Sequence, residues 1–130
     1  MQHASVLEQY KMQSLETLTS GEVIVKLLEE ASKQLSISIF LINRDNAAKA
    51  YDCVSKAQRI ISTLNHSLDM NYAISIELRD LYNFMFDSLG KAIVAKDTGL
   101  IKDILSLVDD LKNTFKEADK LARVGNKNHG

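Results

Sequence analysis

The sequence AISIELRDLYNFMFDSLGKAIVA, from Ala73 to Ala95, decides the fold of this chain. Its apolar residues recur at three- and four-residue steps, the spacing that places side chains on one face of an α-helix. The residues of this stripe are Ile74, Leu78, Leu81, Tyr82, Met85, Leu89, Ala92 and Ile93. Most of the charged and amide side chains fall on the opposite face, as in a helix with one buried side. The stretch therefore predicts a long amphipathic helix that packs against other helices.

The composition extends this prediction to the whole chain. The 130 residues include no proline and only 5 glycines, so the two residue types that interrupt helices are nearly absent. A chain of this length forms one domain with a substantial core. The sequence therefore predicts a single, mostly helical domain.

Three further amphipathic segments flank the first one. Together they predict helices over residues 20–42, 46–67, 73–96 and 99–124. The predicted core-facing residues of the three added helices are Ile24, Leu27, Leu28, Ala31, Leu35, Ile39 and Ile42; Ala47, Ala50, Tyr51, Val54, Ala57, Ile61, Leu64 and Leu68; and Ile101, Ile104, Val108, Leu111, Phe115, Ala118 and Ala122. Long helices with short links pack best as antiparallel neighbours. The predicted fold is an all-α, antiparallel four-helix bundle.

The predicted helix starts carry capping signals. Thr19 and Glu22 have the spacing of a capping box, and Ser20 offers a second cap for the first helix. Asp45 is predicted to cap the second helix, and the turn at residues 97–99 to start the fourth.

The two ends of the chain are predicted to lie outside the bundle, which spans residues 19–124. Residues 1–18 are predicted to form a flexible N-terminal arm, in which Val6, Leu7 and Tyr10 have the spacing of a short helix that docks on the bundle. The alternative is a disordered leader. Residues 125–130 contain no apolar residue and are predicted to be a disordered tail.

Several large apolar residues lie off the predicted core stripes. They are Ile37, Phe40 and Leu41 on the first helix, and Ile76, Phe84, Phe86 and Val94 on the third. Two explanations stay open: a wider core completed by the arm and the links, or exposed patches that bind a partner. A helix or an extended peptide lying along a bundle groove would use such anchors.

The charge and cysteine content exclude several classes of function. The chain has 16 basic and 17 acidic residues and a net charge of −1, so it lacks the basic footprint of a nucleic-acid-binding protein. Cys53 is the single cysteine, which excludes an internal disulfide and fits a reducing compartment. No secretory leader and no apolar run near the ~20 residues of a membrane span is present. We therefore expect a soluble cytoplasmic protein without membrane insertion.

No group of residues predicts catalysis. The three histidines are scattered, and no Glu-x-x-His pair exists to build a metal site in a bundle, so neither a metal nor a cofactor is expected. His66 could in principle accept a phosphoryl group, yet its neighbours lack the basic, glycine-containing setting of helical phosphotransfer domains. Cys53 has no nearby cysteine or histidine to lower its pKa, and no glycine-rich phosphate loop occurs. We expect a protein that is not an enzyme.

The order of short phrases along the chain resembles the FliS family of flagellin-specific export chaperones. The resemblance covers nearly the whole chain, and its order and spacing over about 110 residues carry it, since no phrase is specific alone. The phrases are Tyr10, Leu15-Glu16-Thr17, Gly21-Glu22-Val23-Ile24-Val25, Leu27, Leu28, Ala31, Lys56-Ala57-Gln58, Ile60-Ile61, Leu68-Asp69, Tyr72, Leu81-Tyr82, Met85, Asp97, Leu111 and Phe115-Lys116-Glu117.

The resemblance implies a cytoplasmic chaperone that binds the C-terminal segment of newly made flagellin. Such a chaperone prevents premature polymerisation and delivers its client to the flagellar type III export apparatus. By the same resemblance, the partner-binding residues are expected to be Tyr10, Leu27, Leu28, Ala31, Leu81, Tyr82 and Met85. The protein is expected to be a monomer or a weak homodimer. The hypothesis for the arm is that it shields an apolar groove until flagellin displaces it.

Two alternatives stay open. A helical signalling or adaptor bundle, either a phosphotransfer domain at His66 or a module that docks a regulator, is the rival from another class. A further hypothesis keeps the family and adds export-gate or regulatory proteins as partners of the same patches.

Overall fold

The structure is a computed structural model that describes residues 20–129, with the side chains of residues 21–122 and of Val124. This part of the chain consists of four α-helices joined by three links. The helices are α1 (Ser20–Asn43), α2 (Ala47–His66), α3 (Ala73–Ala95) and α4 (Thr98–His129). The all-α class is confirmed, and within residues 20–129 no strand occurs. The predicted arm, with its Val6, Leu7 and Tyr10, lies outside the described residues.

Each helix packs against two neighbours. α1 contacts α2 and α4, and α3 contacts the same two helices from the opposite side, so the four helices form a closed ring around one core. The short links make consecutive helices antiparallel, as predicted. The fully buried larger side chains of the core are Leu28, Leu35, Val54, Ile61, Tyr82, Met85, Leu89, Ile101, Ile104 and Val108.

Four predicted core positions are exposed. Tyr51 is 58% exposed because it lies about 100° by helical phase from the centre of the α2 stripe. Ile74 is 57% exposed because it lies in the first turn of α3, at the end of the bundle. Ala118 and Ala122 are exposed because they lie at the end of α1 or beyond it. Asp119 of α4 is already next to Gly21, the second residue of α1.

α4 is longer than the sequence predicts, since it ends at His129 rather than near residue 124. Residues 125–129, which the sequence assigns to a tail, continue the helix. The segment contains no proline, and the single glycine at position 125 costs a helix only about 1 kcal/mol.

The α1–α2 link ends one helix and starts the next with adjacent residues. Asp45 takes the left-handed conformation (φ 57°) and donates its N–H to the Ile42 carbonyl at 3.1 Å. Asn46 donates its N–H to the Leu41 carbonyl at 2.8 Å, and its side chain accepts from the N–H of Lys49 at 3.4 Å. The prediction that Asp45 caps α2 is wrong: Asn46 is the cap, because Asp45 forms the left-handed turn that closes α1.

The α3–α4 link repeats this arrangement. Lys96 is left-handed (φ 54°), and the N–H of Asp97 donates to the Ala92 carbonyl at 2.8 Å. The Asp97 carboxylate then accepts from the N–H of Leu100 at 3.0 Å and caps α4, which agrees with the predicted start at residues 97–99. Both links therefore close a helix with a residue that has a side chain where glycine is the usual choice.

Polar contacts fix the remaining junctions. In the α2–α3 link the buried Ser75 hydroxyl donates to the Asp69 carbonyl at 2.6 Å, which holds the start of α3 against the link. Between α1 and α4 the Ser32 hydroxyl donates to the Asp109 carboxylate at 2.8 Å, and Lys112 contacts the same oxygen at 3.3 Å. Directional bonds of this kind set the axial register that apolar contacts leave free.

Replacing Lys96 with glycine is expected to stabilise the protein. A left-handed non-glycine residue costs roughly 1–2 kcal/mol, whereas the added chain entropy of glycine costs about 0.5–1 kcal/mol, so Lys96→Gly should raise the unfolding free energy by about 0.5–1 kcal/mol. Urea denaturation measures the change. The control Lys91→Gly, inside α3 one turn before its end, should lower stability by about 1 kcal/mol. Equal destabilisation by both substitutions would contradict the role of Lys96.

Candidate partner-binding surface

Four of the predicted partner-binding residues lie in the core. Leu28, Ala31 and Met85 are fully buried, and Tyr82 is 2% exposed. Their side chains contact other core residues of the bundle. In this conformation they support the helices that carry the surface, and direct contact with a partner by these residues stays a prediction.

The other three predicted residues have different positions. Leu27 on α1 and Leu81 on α3 are partly buried and pack against the edge of the core. Tyr10 lies outside the described residues. Leu81 borders the α4 side of α3 and Leu27 the α2 side of α1, so the structure does not bring these two residues together on one surface.

A furrow lies between α2 and α3. Its open parts have volumes of about 580 Å³ beside Gly90 and about 510 Å³ beside Tyr51, and Phe86 lines both. A further part of about 310 Å³ lies beside Met70 at the other end. We call this surface the α2–α3 furrow; its lining includes Tyr51, Gln58, Asn65, Met70, Asn83, Phe86, Gly90 and Val94.

Large apolar side chains stand unpartnered along the α2–α3 furrow. The exposed fractions are 58% for Tyr51, 47% for Met70, 40% for Phe86 and 83% for Val94. For Phe86 and Val94 the sequence leaves open a wider core or an exposed patch, and the structure has both side chains exposed; Tyr51 had been assigned to the core. Helical phase could have placed Tyr51 here, because it shares a side of α2 with Gln58.

Amide side chains form the floor of the α2–α3 furrow. Gln58 donates from Nε2 to the backbone carbonyl of Phe86 at 3.0 Å, and Asn65 donates from Nδ2 to Oδ1 of Asn83 at 2.9 Å. Gly90 leaves the furrow open, since a Cβ added there would lie 3.4 Å from Nε2 of Gln58, in ordinary contact. Hydrogen bonds therefore fix the floor of the furrow, and the furrow is deep beside Gly90 because glycine has no side chain to fill it.

Tyr82 is the one predicted partner-binding residue that also lines the α2–α3 furrow. It borders a recess of about 160 Å³ together with Ile61, Asn65 and Phe86. Burial raises the pKa of Tyr82 to about 12, because the charged phenolate would lose its hydration there. The phenol therefore stays neutral at physiological pH, and the recess carries no charge from this group.

Further exposed apolar side chains lie along α3 and the second half of α4. Ile74 is 57% exposed, Phe84 54% and Leu121 64%, and by helical phase all three lie on the sides where α3 and α4 face each other. We call this the α3–α4 surface.

A groove between α1 and α4 has a different character. It has a volume of about 760 Å³ and lies near the start of α1. Charged side chains of both signs line it, and Val25 is its one apolar residue: Glu22, Lys26, Glu29, Lys116, Glu117, Asp119 and Lys120 are the charged ones. The α2–α3 furrow also carries charges of both signs, from Asp52, Lys56, Arg59, Asp87 and Lys91, but there they stand beside large exposed apolar side chains.

Groups that could support chemistry are dispersed. His66 lies at the end of α2, where Nδ1 is 2.7 Å from the Ser62 carbonyl oxygen. Cys53 is a partly buried free thiol. Among the residues searched in the described part of the chain, no group of three histidine, cysteine or acidic side chains could hold a metal ion. None of the described helices is long and apolar enough to cross a membrane.

These features define a class: a four-helix bundle with exposed apolar surface. The chain belongs to the family of flagellar protein FliS, whose model matches residues 3–122. Among curated proteins it is similar to the flagellar secretion chaperone FliS of Bacillus subtilis (strain 168), with 28% identity over 109 residues, which are 84% of this chain and 82% of the relative. The resemblance noted from the sequence is thereby confirmed at the level of the family.

The raised pKa of Tyr82 predicts an alkaline loss of stability. The phenol of an unfolded chain has a pKa near 10, so the contribution is fully present below about pH 10 and is lost as the pH rises through about 12. The loss should be roughly 2–3 kcal/mol. Urea denaturation at pH 8 to 12 measures it, with Tyr82→Phe expected to flatten the profile. Tyr51→Phe, at an exposed position, should keep the wild-type profile; equal profiles for all three proteins would contradict the assignment.

Proposed function

We propose that this protein is a cytoplasmic export chaperone for flagellin. It binds the C-terminal segment of the newly made client, prevents premature polymerisation and delivers it to the flagellar type III export apparatus. Membership of the FliS family and similarity to a flagellar secretion chaperone support this proposal. The single observation that carries it is the α2–α3 furrow, which offers unpartnered apolar side chains next to a hydrogen-bonded floor.

The dimensions of the α2–α3 furrow suit a client helix. The furrow follows α2 from Tyr51 to His66, a length of about 23 Å. An amphipathic client helix of similar length would place apolar residues at i, i+3, i+4 and i+7 against Phe86, Val94 and Tyr51. Flagellin's terminal segments are amphipathic and associate with each other in the filament, so covering one of them opposes polymerisation by mass action.

The second apolar surface extends the proposed contact. The α3–α4 surface lies on the other side of α3, so a client that wraps around this helix would cover both surfaces. A segment that is disordered when free can wrap in this way, because it orders only on binding. Its ordering consumes part of the gross interaction energy, which keeps the affinity moderate for the area buried.

The residues proposed from the family resemblance have a place in this scheme. Leu81 borders the α3–α4 surface, and Tyr82 lines the recess of the α2–α3 furrow. Leu28, Ala31 and Met85 would act on binding through the packing that positions the helices. Tyr10 belongs to the arm, which we propose shields one of the two apolar surfaces in the free protein.

Filling the α2–α3 furrow is expected to block client binding. Gly90→Leu would place a branched side chain beside Gln58 and Phe86 and should weaken binding of the flagellin C-terminal segment at least about tenfold. Isothermal titration measures the affinity, and one-to-one binding with a negative heat-capacity change is expected for the wild type.

Two matched variants control this experiment. Gly90→Ala should fold with equal or higher stability, since its Cβ makes only ordinary contact and alanine favours a helix by about 1 kcal/mol. Asp110→Leu adds a leucine to an exposed position of α4, outside the furrow, and should leave binding unchanged. Wild-type affinity in a folded Gly90→Leu variant would exclude the furrow, and absence of wild-type binding would exclude flagellin as the client.

The arm should respond to the client if it shields a binding surface. Amide hydrogen exchange of residues 1–19 is expected to change when the flagellin segment is added, and Tyr10→Ala should change the affinity. Exchange in the α1–α4 groove near Lys26 serves as the internal control, because that groove is charged and is not proposed to bind the client. Exchange of the arm that the client leaves unaltered would rule out this role.

A further inference from the structure

The ring of four helices allows one helix to leave without separating the other three. α1 contacts both α2 and α4, so these three helices keep their mutual contacts when α3 is absent. α1 also packs against α2 and α4 more extensively than α3 does. Of the four helices, α3 is therefore the one whose departure removes the least packing.

The polar contacts of α3 hold it less firmly than the contact that joins α1 to α4. The amide hydrogen bonds of the furrow floor, which join α2 to α3, are exposed to water, and water competes for the same donors and acceptors. The bond from Ser32 to Asp109, between α1 and α4, is partly buried. The Ser75 hydroxyl donates to the Asp69 carbonyl, but Asp69 belongs to the link, so this bond ties α3 to its own link and not to another helix.

The ends and the interior of α3 weaken the helix itself. Its N-cap, Tyr72, makes no side-chain capping hydrogen bond, and α3 has neither an acidic residue in its first turn nor a basic one in its last. In contrast, Asn46 and Asp97 cap α2 and α4 with their side chains. Gly90 lies inside α3, and Lys96 closes the helix in a strained left-handed conformation.

We propose that α3 opens from the bundle as a unit, while α1, α2 and α4 remain folded on each other. In the open state, residues 67–97 form a loop that connects the end of α2 to the start of α4. Because α2 and α4 run in the same direction, this loop must span the length of the bundle, about 30 Å along α2. A chain of about 30 residues can extend to about 100 Å, so the loop spans this distance without strain.

The opening gives the buried partner-binding residues a route to the surface. Tyr82 and Met85 face the core in the closed bundle, and the departure of α3 would expose them together with the apolar side that this helix buries. A client would then contact residues that the closed bundle withholds. This consequence rests on the proposed function, whereas the opening itself does not, and its test contains no client.

Native-state amide hydrogen exchange of the full chain tests the opening. The slowest amides of α3, around Met85 and Leu89, should have protection factors at least about tenfold lower than the slowest amides of α1, around Leu28 and Leu35. Their exchange should also depend less on urea, because a partial opening exposes less surface than global unfolding does. Equal protection with equal urea dependence in α1 and α3 would overturn the proposal.

Two substitutions separate the opening from global unfolding. Ser32→Ala removes a bond between α1 and α4 that the opening leaves intact, so it should speed exchange in α1 about fivefold and leave exchange in α3 unchanged. Gly90→Ala strengthens α3 itself and should slow exchange in α3 about fivefold. If Ser32→Ala accelerated exchange in α1 and α3 by the same factor, the bundle would open only as a whole, and the proposal would be overturned.

Discussion

Close approach of the helices around small side chains is the constraint on which this structure depends. Ala31, Ala50, Ala57 and Ala92 are fully buried, and each comes from a face that meets a neighbouring helix. Small residues at such positions allow short distances between helix axes, so the core fills with leucine, isoleucine and valine. Tyr82 is the single aromatic residue in the buried core of the described chain. The exposed phenylalanines Phe40, Phe84 and Phe86 lie off the core-facing stripes of their helices, and they contribute to the apolar surface.

The short links convert that packing into a defined shape. Each of the links after α1 and α3 uses a left-handed residue followed at once by a capping residue, so the chain reverses within three or two residues. The left-handed conformations of Asp45 and Lys96 are strained, but they let the chain reverse in a short link, so that the two helices joined by each link pack side by side. The α2–α3 link is longer and holds the start of α3 through Ser75. The furrow therefore lies between α2 and α3, the two helices joined by the longest link.

Much of the fold could be predicted from the sequence, because apolar periodicity and the absence of proline determine it locally. The predicted helix starts are within one residue of the observed ones, and helical phase singled out Phe86 and Val94 as lying off the core stripe of α3. The errors have different origins. Ile74 points to the core-facing side of α3, but the period of a helix gives directions and not neighbours, and this residue is exposed at the end of the bundle. Tyr51 lies about 100° from the centre of the α2 stripe, so helical phase alone could have placed it outside the core. That Asn46 rather than Asp45 caps α2 could be seen only from the left-handed conformation of Asp45. The furrow could be seen only from the way α2 packs against α3 beside Gly90.

α1 and α3 differ in how much of their surface the bundle covers. α1 makes the more extensive contacts with both of its neighbours, whereas α3 contributes five of the exposed large apolar residues of the described chain. A helix that is held less extensively can still be fixed when a partner adds contacts to its free sides, because binding to the folded state stabilises it. In the free protein the surface on both sides of α3 is apolar area left in water. In the complex proposed above, the client would cover this area, and its binding would stabilise the fold.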